Sequence, residues 1–503
     1  MEMYSNLLVE YLRGHDWVAL ARLFIGAEIA LQVSTILAVL LSRRSTGPVL
    51  LSWLLLVITV PLIGALLYWT FGTPWLSARR QKRCKQVARR LAEVRRAEHN
   101  AQKRAAEHEA VEPLHRILPA YRSFAALASS ISGAGPLGGN TVKAIRRSRE
   151  LFECVAEDID HAQHSVHLLF YIAIDDVTSE KVFLALERAA RRGVKCRAIF
   201  DAIGSRAFLR STCCQSLRDA KVEVVAALPV GIMRAFFNRI DLRNHRKLVV
   251  IDSAIAFSGS HNLADGAFKI KRRFAPWVDA AVRVEGPIAQ DLQRIFVEDW
   301  FLETGDDLSR GVTPLVVSRD AGALVQALAT GPTTYAGAMP QVVVSMVHLA
   351  QHELIVTTPY FVPDEPTHAA LATAARRGVR TVLVVPKRND SWLVEHASRH
   401  FFSRLLDAGV EIWEFKAGLL HAKTIVVDGQ LSLMTSANLD RRSFDLNLEL
   451  ALVLYDAAAS AEVRRLQDGY MHDAVRIDRD RWARRGAHRR MVENLCGILA
   501  PIL

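Results

Sequence analysis

"VHLLFYIAIDDVTSEKVFLALERAARRGVKCRAIF", residues 166–200, reads as an apolar strand, a helix to Arg192 and a second strand from Val194. A mostly apolar run such as Val166–Ile174 suits a strand buried on both faces, as in a parallel or mixed sheet covered by helices. The order returns in "ELIVTTPYFVPDEPTHAALATAARRGVRTVLVV", residues 353–385, with its helix ending at Arg377. In places the likeness is literal. "ALERAARRGVKCR" starts at Ala185 and "ALATAARRGVRTV" at Ala370, while "AQH" stands at 162–164 and 350–352, upstream of Tyr171 and Tyr360. Strand–helix–strand units predict an α/β fold, and two copies predict a duplicated pair of halves. The halves are expected at 121–310 and 311–503, joined where "TGDDLSRGVTP" (304–314) and "ATGPTTYAGAMP" (329–340) supply Gly, Pro and Ser.

A polar pattern is duplicated with them. "NHRKLVVIDSAIAFSGSHN" (244–262) and "LHAKTIVVDGQLSLMTSAN" (420–438) each place His, Lys and Asp ahead of Ser and Asn. On a strand, His245 and Lys247 share a face, as do His421 and Lys423, while Asp252 and Asp428 fall at the turn. With a two-residue loop after each Asp, His245 stands opposite Asn262 and Lys247 opposite Ser260. Likewise His421 faces Asn438 and Lys423 faces Ser436. Lysine, hydroxyl and carboxamide donors suit phosphate oxygens, and imidazole can attack phosphorus or carry a proton. In-line displacement needs nucleophile and acid on opposite sides of phosphorus, so the two copies together make one site. A single His-x-Lys pair would be an ordinary surface strand; its repetition in register is what points to chemistry.

His-x-Lys-(four residues)-Asp followed by Gly/Thr-Ser-x-Asn, present twice, resembles the phospholipase D superfamily over residues 140–470. "PYFVPD" (359–364), "GLLHAK" (418–423) and "NLDRRSFDLNLE" (438–449) are similar to signatures of bacterial cardiolipin synthases. The resemblance implies two α/β sandwich halves related by a pseudo-two-fold axis, with the site at their interface and neither metal nor cofactor. It implies that one histidine attacks phosphatidylglycerol to form a phosphatidyl-histidine. The other protonates the leaving glycerol and then deprotonates a second phosphatidylglycerol, giving cardiolipin. His245 is expected as nucleophile and His421 as acid/base. The family motif counts Asp252 and Asp428 with the catalytic set, although their place at the turn gives each a structural role. A carboxylate some thirty residues after each histidine orients it in the family; Asp279 and Glu449 match by position, and Asp279 is expected to serve His245. Thr435 departs from the usual glycine, so the local backbone of the second copy is expected to differ.

The N-terminal part has another texture. Residues 23–42 are apolar but for Glu28 and Gln32, and 49–71 are apolar throughout. About twenty helical residues span a bilayer, so residues 1–75 are expected to form a hairpin of two transmembrane helices. A cleaved signal peptide is not expected, because Glu2 and Glu10 replace a basic n-region. Residues 79–104 carry eleven Arg/Lys against two Glu, against only Arg43 and Arg44 between the apolar segments. This predicts a basic juxtamembrane helix and linker within 76–120, lying on anionic headgroups, with everything downstream cytoplasmic. The resemblance places the protein in the bacterial inner membrane as a multi-pass protein.

The net charge of +12 suits a polyanionic partner. Phosphatidylglycerol, other anionic phospholipids and the bilayer are the partners expected, and nucleic acid is not, since a nuclease gains little from membrane attachment. The sequence leaves the oligomeric state open. A phospholipase D-type hydrolase is the alternative activity, followed by a nucleic-acid phosphodiesterase. A catalytically silent scaffold would not keep both motifs intact. The six cysteines show no metal-binding spacing and read as reduced thiols.

Overall fold

A computed structural model describes residues 17–42, 47–72, 80–87, 89, 113–229, 241–267, 269–308, 321–332 and 337–498. The chain divides into a helical unit reaching Ser77 and a compact α/β unit made of Ala78–Val230 and Ile240–Leu503.

In the helical unit, α1 (Trp17–Leu40) is continuous, and its Ala21–Leu40 stretch has a mean hydropathy of 2.0. Leu23, Phe24, Ile25, Ile29 and Leu37 stand more than half exposed along it, which suits lipid rather than water. The single span expected over 49–71 is instead broken. It forms α2 (Gly47–Thr59) and α3 (Pro61–Leu67), followed by a π turn at Tyr68–Gly72. Pro61 lacks an amide proton and its ring crowds the preceding turn, which interrupts the ladder. Ala21–Leu40 is thus the one helix among the described residues long and apolar enough to cross a membrane. Two of its polar groups are answered within the unit: Gln32 Nε2 donates to Val57 O at 3.1 Å, and Trp69 Nε1 donates to Thr35 Oγ1 at 3.0 Å.

The basic stretch is described only from Arg80 to Val87 and at Arg89. Its first cations are engaged by protein rather than free for headgroups. Arg80 pairs with Glu303 at 2.8 Å, and Arg83 donates to the carbonyls of Leu302 and Glu303 at 3.0 Å. These carbonyls end a helix, where cations offset the negative end of its dipole.

The α/β unit is built on one fifteen-stranded sheet. Its first seven strands are β1 (Leu137–Ile145), β2 (Ser165–Phe170), β3 (Lys195–Asp201), β4 (Glu223–Ala227), β5 (Leu248–Ile251), β6 (Ile255–Gly259) and β7 (Ala281–Glu285). The next seven are β8 (Ala323–Thr330), β9 (Glu353–Thr357), β10 (Arg380–Pro386), β11 (Glu411–Phe415), β12 (Thr424–Val427), β13 (Leu431–Thr435) and β14 (Glu449–Leu454), and β15 (Ala474–Arg476) closes one edge. From the centre outward, one side runs β1-β7-β6-β5-β2-β3-β4 and the other β8-β14-β13-β12-β9-β10-β11-β15. Each strand of the second run except the edge strand β15 repeats the place of the strand seven earlier. β1 and β8 pair antiparallel at the centre, with Asn140 opposite Ala323.

Both faces of the sheet are covered, which explains the continuous apolar strands. On one face α4 (Val177–Arg191) covers the first run, with Val182, Phe183 and Leu186 buried against Val249 and Phe257. On the opposite face α5 (Ile288–Thr304) and α7 (Ala457–His472) share one core that crosses the midline, from Val250 and Phe296 to Leu452 and Tyr470. α6 (Glu365–Arg376) covers the second run as α4 covers the first. Asp176 and Asp364 cap α4 and α6, accepting from backbone amides of their first turns.

The "AQH" repeat has a structural use. Asp252 accepts from the amides of Gln163, His164 and Ser165, each at 2.8 Å. Asp428 accepts from Gln351, His352 and Glu353 at 2.7–2.9 Å. Both aspartates stand at φ 51°, a left-handed conformation that Asp tolerates better than most residues.

Candidate active site

Placing Asp252 and Asp428 inside the turn lengthens each loop by a residue and shifts the expected hairpin register. Ile251 lies opposite Ile255 and Val427 opposite Leu431, so the loops are 252–254 and 428–430. The Lys423 carbonyl therefore takes the amide of Thr435, not that of Ser436. The expected facing pairs His245–Asn262, Lys247–Ser260, His421–Asn438 and Lys423–Ser436 are not ladder partners. What gathers these residues is an exchange between the two runs of strands.

The residues ahead of each motif lie beside the other run. His245 N donates to Leu448 O and Leu448 N to Arg243 O, both at 2.9 Å. In the other copy His421 N donates to Val278 O at 2.7 Å, and Leu419 and Leu420 pair with Trp277 and Val278. Glu449 and Asp279 are the next residues along, so each carboxylate is delivered to the histidine of the other half. His245 Nδ1 lies 3.1 Å from both Glu449 carboxylate oxygens, and His421 Nδ1 lies 2.7 Å from Asp279 Oδ1. The expectation that Asp279 serves His245 is corrected: the partners are crossed.

The serines fix those carboxylates from behind. Ser260 Oγ donates to Asp279 Oδ1 at 2.7 Å, and Ser436 Oγ donates to Glu449 Oε2. Each serine amide also donates to the strand carrying the carboxylate, at Ala280 O and Leu450 O. The lysines turn back on their own motifs: Lys247 Nζ donates to His245 O and Lys423 Nζ to His421 O, both at 2.6 Å. Asn262 and Asn438 are buried with Oδ1 lacking a partner, and Asn438 lines a small cavity with Lys423, Thr357 and Thr358.

Burial sets the charge states. It pushes His421 down to about 4 against the pull of Asp279, and it lowers His245 against that of Glu449. Burial also pushes Lys247 down to about 7 and Lys423 to about 8. Desolvation would raise the carboxyls, but the histidines and lysines override it. Glu449 falls to about 2, and Asp279 lies well below the carboxylate range. An ionised carboxylate accepting at Nδ1 fixes the proton there and leaves Nε2 of a neutral imidazole with its lone pair. The arrangement provides two oriented nucleophile/base nitrogens, two amines and two orphaned carboxamide oxygens in one buried cluster.

Aromatic rings enclose it. Tyr171 packs edge-on to His245 at 5.0 Å, Trp277 lies 4.8 Å from His421, and Tyr360 lies 6.3 Å from it. Sequence reading used the tyrosines only as markers of the repeat; their equivalent places were the signal. Arg246 was missed as well. It is buried between the motif residues, bonded to both Asp299 oxygens at 2.9 Å and to Glu449 O at 3.2 Å.

Thr435 does reshape its copy. Gly259, at the same place in β6, adopts φ 154°, and a Cβ there would lie 2.3 Å from Ala280 O. Thr435 keeps negative φ; its hydroxyl donates to Leu450 O and accepts from Ala437 N.

The family model described as cardiolipin synthase, PLD-like domain, matches residues 155–300 and 343–469. The chain belongs to this family. A second model, phospholipase D-nuclease N-terminal, matches residues 30–72. Cardiolipin synthase A of Yersinia pseudotuberculosis serotype O:1b is 36% identical over 477 residues, covering 93% of this chain and 95% of the relative. Cardiolipin synthase A of Yersinia pestis matches equally. Among solved structures, phosphatidylserine synthase of Haemophilus influenzae Rd KW20 shares the fold. Its TM-score is 0.58 at 14% identity, over 76% of this chain and 98% of that one.

Proposed function

We propose that the protein is a membrane-bound phosphatidyltransferase that condenses two phosphatidylglycerol molecules into cardiolipin and glycerol. The observation that carries this reading is the crossed pair of His–carboxylate dyads, each with its lysine, in a chain similar to cardiolipin synthases over nearly all its length. His245 Nε2 attacks the phosphorus of the first lipid. The glycerol oxygen leaves with a proton from His421, whose imidazolium is supported by Asp279 and by the bound phosphodiester anion. His421, now neutral, takes the hydroxyl proton of the second lipid, whose oxygen attacks phosphorus and releases His245. Lys247 and Lys423 neutralise the non-bridging oxygens, and Ser260 and Ser436 hold the carboxylates in place. Covalent transfer conserves the phosphodiester bond, so no nucleotide is consumed.

In this reading a pseudo-two-fold axis relates 121–310 to 311–503. Residues 1–75 enter the membrane as a hairpin with both ends cytoplasmic, the broken α2–α3 segment forming its second arm. The partners are anionic phospholipids and no nucleic acid.

Incubating the purified protein with phosphatidylglycerol in excess chelator should give cardiolipin and free glycerol. Phosphatidic acid as the main product would identify a hydrolase instead, and loss of activity on chelation would overturn the metal-free route.

A further inference from the structure

Two exposed segments, one from each half, meet beside His421. Trp277 packs on His421, and only a few residues upstream Lys271, Arg272 and Arg273 stand exposed. Tyr360, edge-on to His421, donates through its hydroxyl to Asp390 Oδ1 at 2.7 Å. Lys271 forms an ion pair with that same Asp390, joining the segments. Arg388 is exposed just before Asp390, and Trp392, just after it, is 62% exposed.

Among the described residues, Arg272, Arg273 and Arg388 have no ion-pair partner, unlike many arginines of this unit. Their charge is therefore available. An exposed indole beside unpaired guanidinium groups matches the chemistry of a bilayer interface, where Trp sits at headgroup level and cations meet anionic lipid.

We propose that Arg272, Arg273, Arg388 and Trp392 form a membrane contact of the α/β unit itself, seating the mouth of the site on an anionic lipid surface. The inference rests on the reading that the substrates are bilayer phospholipids. A lipid leaving the bilayer at this patch reaches His421 past Tyr360 and Trp277, without crossing water.

The full chain in nanodiscs of phosphatidylglycerol with brominated phosphatidylcholine provides a test independent of turnover. The fluorescence difference between the wild type and W392F isolates Trp392, which should be quenched by the brominated chains. An unquenched Trp392 overturns the proposal, even if the protein proves to have another activity. In mixed micelles, R272Q/R273Q should raise the apparent KM about 25-fold, at about fivefold per cation, with kcat unchanged. Turnover of a short-chain phosphatidylglycerol below its micelle concentration should equal that of the wild type. An equal loss on monomeric substrate would place these arginines in the substrate pocket and overturn the surface contact.

Discussion

The two halves place the same groups at the same points of the sheet, yet their linkers to those groups differ. In the first half the residue between His245 and Lys247 is Arg246, buried and tied to Asp299; in the second it is Ala422. One half needs Gly259 where the other takes Thr435, and one histidine meets both oxygens of a glutamate while the other meets a single oxygen of an aspartate. What does not vary is histidine, lysine, serine and the carboxylate from across the midline. The comparison separates groups that do chemistry from groups that fill space, because only the former are constrained by the two faces of one phosphorus.

The widest test of this division removes the shared groups. H245A or H421A should lower kcat by about 10⁴-fold in the cardiolipin assay, with the double variant scarcely worse, since the two act as one unit. E449Q and D279N should each cost about 10²–10⁴-fold, and crossing makes their signatures different. In a quench experiment with labelled lipid, E449Q should block formation of the proposed covalent intermediate on His245, whereas D279N should slow both its formation and its breakdown, because His421 serves as acid in the first step and base in the second. Uncrossed behaviour would refute the assignment. Across pH, kcat/KM should fall as the pH rises through about 7 to 8, where the free protein's buried Lys247 and Lys423 lose their protons. It should fall again in acid, as His245 charges and loses the lone pair that attacks phosphorus.

Smaller effects probe the dissimilar parts. G259T should destabilise by several kcal/mol, since a Cβ collides with the Ala280 carbonyl at a φ that threonine avoids. T435G should cost only about 1 kcal/mol in a denaturant titration. D252A and D428A should each lower stability by about 1–3 kcal/mol through lost amide caps, with activity per folded molecule unchanged.

Much of this was legible in the sequence because duplication makes the sequence its own control. The α/β alternation, the two halves of the strand order and the His–Lys–Ser–Asn–carboxylate set could all be read by laying one copy on the other. Hairpin register was not, because parity depends on whether one aspartate belongs to strand or loop, and Asp252 settles that only through its contact with the amides of residues 163–165. Spacing along the chain suggested that Asp279 serves His245, but a sheet continuous across the midline brings distant segments closer than near ones. By hydropathy 49–71 is one apolar segment; its division into two helices at Pro61 is a matter of backbone hydrogen bonding, which hydropathy does not register.

The crossed carboxylates also set a timetable. His245 and Glu449 are 204 residues apart. At typical synthesis rates the glutamate emerges about 10–40 s after the histidine. Throughout that interval the growing chain carries an imidazole without its orienting partner. A half-made polypeptide therefore lacks both complete dyads until its second half has folded against the first.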